Sequence, residues 1–144
     1  MGAHGAVDPG AVTRPAPIIT DDNKEFWEAA RDGRLVAQRC RACGRLRHPP
    51  RPMCPECHSV EHEVVELAGT GTVYSYAILH HPQHPAFSYP VVAVLVDLDE
   101  GIRVVSNLVG VEPPEVRIGA PVRVMFQATA DGLTVPVFEP AGPT

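Results

Sequence analysis

The sequence predicts a mainly β protein: a short N-terminal helix, a zinc ribbon, then a five-stranded OB-fold barrel. Three observations carry this. The cysteines occur only as two close Cys-x-x-Cys pairs, Cys40/Cys43 and Cys54/Cys57. From residue 70 onward, apolar runs and alternations of strand length are separated by Gly- and Asp-containing turns. The 144 residues include 16 prolines, about twice the usual share, which favours short elements joined by fixed turns.

Residues 1–19, rich in Gly, Ala and Pro with little to bury, read as a disordered leader or a linker. Asp21 or Asp22 is suited to cap a helix over roughly residues 22–31, with Glu25 in its first turn, Arg31 near its end and Gly33 as its stop. Phe26, Ala29 and Ala30 share one stripe by i, i+3, i+4 spacing. Trp27 lies at the edge of that stripe, where it either packs on its own domain or faces a second surface. Helix and ribbon together are expected over 20–62, the barrel over 63–140 and a tail over 141–144.

The spacing Cys40-x2-Cys43-x10-Cys54-x2-Cys57 lets each pair grip one ion from a single tight turn, and two such turns make a tetrahedral site. Gly44 follows the first pair, where a positive backbone angle is useful, and Pro55 stiffens the second. Four thiolates leave no open position for water or substrate, so zinc here stabilises the fold and does not act as a Lewis acid. A redox dithiol and an iron site are the alternatives. Arg39, Arg41, Arg45, Arg47, His48 and Arg51 surround the ribbon. They either offset the charge of the thiolates or form a docking face for phosphates or an acidic partner.

Beyond the cysteines, residues 70–79 form one strand after Gly69 and 91–98 a second, nearly continuous apolar one. Asp99-Glu100-Gly101 turns into a third at 102–109. Residues 121–129 and 133–138, joined across Ala130-Asp131-Gly132, make a second hairpin. Five short antiparallel strands suit an OB-type barrel, because a sandwich usually needs about seven. Tyr74 and Tyr76 are expected on one strand face, either as cross-strand pairs or, with Phe87 and Tyr89, as a stacking platform. His80, His81 and His84 are interrupted by prolines and read as a loop, not as metal ligands.

The composition excludes several classes. Apolar residues at 44% and charged residues at 20% can build a core, and the net charge of −5 argues against a general polyanion binder. No apolar run approaches the ~20 residues of a membrane span, and the N-terminus lacks the pattern of a signal peptide. The cytoplasm is the default location, and reduced thiols there favour a metal site over disulfides. No Ser-His-Asp or Cys-His constellation and no Gly-rich phosphate loop is identifiable.

Phe26-Trp27-Glu28, Gly33-Arg34-Leu35, Gln38-Arg39-Cys40, Cys43-Gly44, Pro49-Pro50-Arg51-Pro52, Cys54-Pro55, Cys57 and the strand Gly69-Thr70-Gly71-Thr72-Val73-Tyr74-Ser75 together carry a family resemblance over about residues 20–140. The chain resembles the OB-fold proteins with an N-terminal rubredoxin-like zinc ribbon that accompany thiolases. The resemblance implies a non-catalytic subunit with structural zinc on Cys40, Cys43, Cys54 and Cys57. The implied partner is a thiolase-superfamily enzyme acting on acyl-CoA, above all a steroid side-chain aldolase, otherwise a thiolase. Some members are fused behind a MaoC-like hydratase domain, which makes such a domain a further expected neighbour. On this resemblance Phe26, Trp27, Arg39 and Arg51 face the partner, and Arg47, Tyr74 and Tyr76 lie on the CoA side. Two rivals remain at this stage: a single-stranded nucleic-acid binder, against which the acidic total weighs, and a free-standing acyl-CoA carrier.

Overall fold

A computed structural model describes residues 14–130 and 132–141. Residues 1–13 of the expected leader, Asp131 of the last turn and residues 142–144 of the expected tail lie outside the described residues. Helix α1 (Lys24–Arg31) buries Phe26, Ala29 and Ala30, the stripe its spacing predicts. The cap differs from expectation. It is Asn23, not Asp21 or Asp22, and its side chain bonds outward, accepting from the Thr20 N–H (2.7 Å) and donating to the Ile18 carbonyl (3.2 Å). This fixes the entry of the chain into the helix. At the far end the Arg34 N–H reaches the Ala29 carbonyl and the Gly33 N–H the Ala30 carbonyl (both 2.9 Å), a Schellman closure that needs Gly33 at φ +75°.

Two sheets follow. The ribbon sheet has the order β2-β1-β3, with β1 (Val36–Cys40), β2 (Leu46–Arg47) and β3 (His62–Glu66), all antiparallel. The barrel closes in the order β4-β5-β6-β8-β7, formed by β4 (Thr70–Leu79), β5 (Val91–Leu98), β6 (Arg103–Leu108), β7 (Pro121–Ala128) and β8 (Thr134–Pro140). All five expected strands are present. They are not all antiparallel, however: β6 and β8 meet in parallel at Leu108 and Phe138, because closure brings two strands of like direction together.

β5 alternates strictly between half-buried and buried residues, with Val92, Val94, Val96 and Leu98 inside. Phe138, Val73, Val122 and Val137 complete a fully buried centre. Gly71 sits where β4 crosses β5 so closely that a Cβ would run into the Asp97 carbonyl, which explains why the strand opens Gly-x-Gly. Helix α1 joins the two units, packing on β1 of the ribbon and β8 of the barrel, and Thr134 Oγ1 donates to the Ala30 carbonyl (2.5 Å). Residues 14–19, expected to lack fixed structure, are tied down. Arg14 Nη2 donates to Gln127 Oε1 (3.2 Å), and the Ala130 N–H donates to the Arg14 carbonyl (2.9 Å). No helix among the described residues is long and apolar enough to cross a membrane.

Candidate metal centre and surrounding faces

The two Cys-x-x-Cys segments fold into matching knuckles. In the first the Gly44 N–H returns to the Cys40 carbonyl and the Cys40 N–H donates to the Arg45 carbonyl. In the second the His58 N–H returns to the Cys54 carbonyl and the Cys54 N–H donates to the Ser59 carbonyl, every one of these bonds at 2.9 Å. The fourth position after each leading cysteine takes the left-handed backbone, Gly44 at φ +80° and His58 at φ +67°. The sequence signals the first by its glycine but hides the second behind a histidine, the one non-glycine in this region among the described residues.

The knuckles bring the four sulfurs within 4.8 Å of one another, with Cys40 Sγ 3.5 Å from Cys57 Sγ and Cys43 Sγ 3.7 Å from Cys54 Sγ. Sulfurs around one tetrahedral zinc at about 2.3 Å stand about 3.8 Å apart, so the constellation fits the ion. Hydrogen bonding led by the Cys43 N–H pulls the Cys40 thiol down to about 6 and the N–H groups of Cys57 and Glu56 lower Cys54, whereas desolvation and the neighbouring sulfurs outweigh the backbone donors at the other two, raising Cys43 and pushing Cys57 up to about 11. The leading cysteines, Cys40 and Cys54, are buried, and Cys43 and Cys57 are exposed. Among the described residues this is the sole cluster of three or more ligating side chains, so the His80, His81 and His84 run does not form one.

The basic cluster is taken apart by its surroundings. Arg39 (3.3 Å) and Arg41 (3.9 Å) share Glu63 of β3. Arg47 is buried: its Nε donates to Gln38 Oε1 (2.6 Å) and its Nη2 to the Arg51 carbonyl (3.3 Å), and the Arg51 N–H also donates to Gln38 Oε1 (3.0 Å). Gln38 thus clamps two ribbon segments, a role for which its place at the mid-point of β1 beside the cysteines is the only signal in the sequence. His48 is half-buried, and that burial lowers its pKa. Arg45 and Arg51 stay exposed.

Phe26, expected to touch a partner, instead lies inside the chain, because it falls on the helix stripe that seals the core. Its ring meets Trp27 edge-on at 4.8 Å and His48 at 5.3 Å. Trp27 is half-buried with Nε1 unpartnered, on the wall of a groove of about 670 Å³ that also includes Arg14, Pro50, Val105 and Pro136. Tyr74 and Tyr76 do not share a face. A bulge between Val73 and Ser75 inserts an extra residue, so Tyr76 opposes Val94 yet stays 38% exposed, while Tyr74 lies 3.7 Å below the Arg103 guanidinium on the other face. No two-residue period reveals a bulge. Arg103 also pairs with Asp97 (2.5 Å), its directly opposed residue across the hairpin. Phe87 packs on Arg14 and His84, and the Tyr89 hydroxyl accepts from the His84 N–H (2.8 Å).

The chain matches the model of the ChsH2 rubredoxin-like zinc ribbon domain over residues 27–63 and that of the ChsH2 C-terminal OB-fold domain over residues 64–127. It is 54% identical over 130 residues to the probable enoyl-CoA hydratase alpha subunit of Thermomonospora curvata, covering 90% of this chain. It is 39% identical over 120 residues to the 3-oxo-4,17-pregnadiene-20-carboxyl-CoA hydratase alpha subunit of Mycobacterium tuberculosis, covering 83%. The chain spans only 41% and 38% of the length of those two relatives. The benzoylsuccinyl-CoA thiolase subunit BbsA of Thauera aromatica is 35% identical over 97 residues, which is 65% of this chain and 67% of that one. Among solved structures, a chain of the Ltp2-ChsH2(DUF35) aldolase superposes with a TM-score of 0.84 at 53% identity, over 88% of this chain and 100% of that one.

Proposed function

Because the chain belongs to the ChsH2 family of zinc-ribbon and OB-fold proteins, we propose that it is a non-catalytic accessory subunit that binds and stabilises a thiolase-like acyl-CoA enzyme. The observation that carries this reading is the match along the whole of a chain from the solved Ltp2-ChsH2(DUF35) aldolase. The partner is a retro-aldol lyase that shortens steroid side chains, or otherwise a thiolase. The steroid acyl-CoA in the name of the Mycobacterium tuberculosis relative supports the first, and BbsA supports the second.

The local chemistry agrees. A tetrathiolate site is closed to substrate, so its metal holds the knuckles and leaves reactivity to the partner. Among the described residues, the histidine side chains that make hydrogen bonds meet Glu25 and the Ala86 N–H, not a hydroxyl or thiol that they could activate. Trp27, Arg39 and Arg51 are the proposed partner contacts, with Phe26 supporting Trp27 from beneath. Arg47, Tyr74 and Tyr76 are the proposed CoA-side residues. The greater length of the hydratase alpha subunits supports a hydratase domain as a further neighbour. The complex is placed in the cytoplasm, where thiols stay reduced. Nucleic-acid binding loses support because two of the arginines are paired with Glu63 and a third is buried.

Co-expression tests the proposal. The chain alone is expected to cleave no acyl-CoA, and together with a thiolase-like aldolase it is expected to form a stable heteromer that does. Turnover by the isolated chain at the rate of the complex, or failure to form any heteromer, would sink it.

A further inference from the structure

Strand β4 pairs with β5 as far as Leu79, but with β7 only over Thr70–Thr72. Val73 is the last residue covered on that second side: its N–H donates to the Ala120 carbonyl (3.0 Å) and its carbonyl accepts from the Gly119 N–H (2.8 Å). Beyond it, the alternation of an antiparallel ladder decides which main-chain groups are left over. The Asp99 N–H donates to the Thr70 carbonyl (3.0 Å) and the Leu98 N–H to the Ile102 carbonyl (2.9 Å), so odd-numbered residues of β5 bond to β4 and even-numbered ones to β6. Ser75, Ala77 and Leu79 therefore spend their N–H and C=O groups on Leu95, Ala93 and Val91, while Tyr76 and Ile78 turn theirs away from β5. Among the described residues, no strand or loop takes these groups up.

Nothing blunts this edge. β4 holds no charged residue and no proline, and Tyr74, Ser75, Tyr76, Ala77 and Leu79 are all exposed. At the corner where the cover ends, a groove of about 500 Å³ opens, with Val111, Ala120, Pro121 and Pro140 beside Val73. The charged residues on its walls, Glu115 and Arg117, are of opposite sign and leave it neutral. Unpaired main-chain groups next to a neutral, largely apolar groove select an extended, uncharged segment: its backbone completes the ladder and one apolar side chain fills the groove. Size selects the source of that segment. Two β4 edges paired over residues 75–79 would share a strip only about 17 Å long, well under the ~800 Å² a side of a stable interface, so the edge does not hold a second copy of this chain by itself. A subunit docked elsewhere on the chain adds the same strip to a larger contact. We propose that the edge of β4 at Tyr76 and Ile78 is a strand-addition site, filled by an extended, uncharged segment of the thiolase-like partner. The site consists of main-chain groups and gives the Tyr76 side chain no role. It rests on the accessory-subunit reading and adds to it the mode of contact.

The test follows residue-resolved amide hydrogen exchange in the zinc-loaded full chain, alone and in the heteromer co-expressed with a thiolase-like aldolase. In the dilute isolated chain Tyr76 and Ile78 are expected to exchange freely while Ala77, bonded to β5, is protected; in the heteromer Tyr76 and Ile78 are expected to slow by about a hundredfold or more. Ala77→Lys sets a charge on the exposed edge without removing a β5 bond, and is expected to weaken the heteromer about tenfold or more, whereas Arg123→Gln on β7 leaves it unchanged. Tyr76→Pro removes an outward donor directly but endangers the strand, so Ala77→Lys, checked for an unaltered thermal midpoint when isolated, and the exchange rates decide the result. A heteromer in which Tyr76 and Ile78 still exchange freely, or which Ala77→Lys leaves as tight, overturns the site and leaves the accessory-subunit reading standing. Failure to form any heteromer removes both. Protection in the isolated chain that rises with its concentration assigns the edge to a second copy, and protection independent of concentration assigns it to another part of the same chain; either overturns the proposal.

Discussion

In the barrel, five strands close on one another around Val73, Val94, Val96, Val122, Val137 and Phe138, all fully buried. In the ribbon, a five-residue strand pairs with one neighbour of five residues and another of two, and the buried groups at the knuckle end are the sulfurs of Cys40 and Cys54. The barrel therefore distributes its stability over many apolar contacts, while the ribbon joins that core through Leu35, Val36 and Ala37 and relies at its knuckle end on metal–sulfur bonds and the Gln38 clamp. A segment this small cannot bury enough surface to fold alone, and a structural metal supplies the difference. Helix α1, seated on β1 and β8, is the mechanical link between the two.

The largest expected effect breaks one unit and spares the other. Cys54→Ser, or removal of zinc by a chelator, is expected to abolish amide protection in β1–β3 while β4–β8 stay protected in hydrogen exchange; equal loss in both would end the distinction. Next, Phe138→Ala should cost about 3–5 kcal/mol in denaturant unfolding. Cobalt substituted into the ribbon should keep its thiolate absorption up to the new barrel midpoint, and earlier loss would mean that the ribbon depends on the barrel core. Gly71→Ala, which drives a methyl into the Asp97 carbonyl, is expected to cost about 1–3 kcal/mol and to leave zinc affinity unchanged. The smallest effect compares the two knuckles. Gly44→Ala should destabilise the metal-bound ribbon by about 1 kcal/mol, whereas His58→Gly should be neutral or slightly stabilising, since it relieves a left-handed residue at the equivalent position. Destabilisation by His58→Gly of the same size would show that the histidine side chain matters more than its backbone.

These experiments also separate features by how visible they are in the sequence. The metal site was readable because both halves of each knuckle lie within three residues, so spacing alone constrains the geometry. The helix stripe was readable for the same reason, as were the five strands, whose turn residues and apolar period are local signals. The Asp97–Arg103 pair was within reach too, since a hairpin turn sets its register.

By itself, then, the sequence determined the knuckles, the helix stripe, the five barrel strands and the family, all of which depend on residues near one another along the chain, but not the three-stranded ribbon sheet. Tertiary structure alone decided that β6 and β8 run parallel, that a bulge turns Tyr74 and Tyr76 to opposite faces, that Phe26 is internal, and that Arg47 is buried beside Gln38. Each of these follows from contacts between distant segments: barrel closure, strand register and the docking of a helix across two sheets. Whether a side chain ends inside or outside is settled by what packs over it, and that neighbour is supplied by another part of the chain.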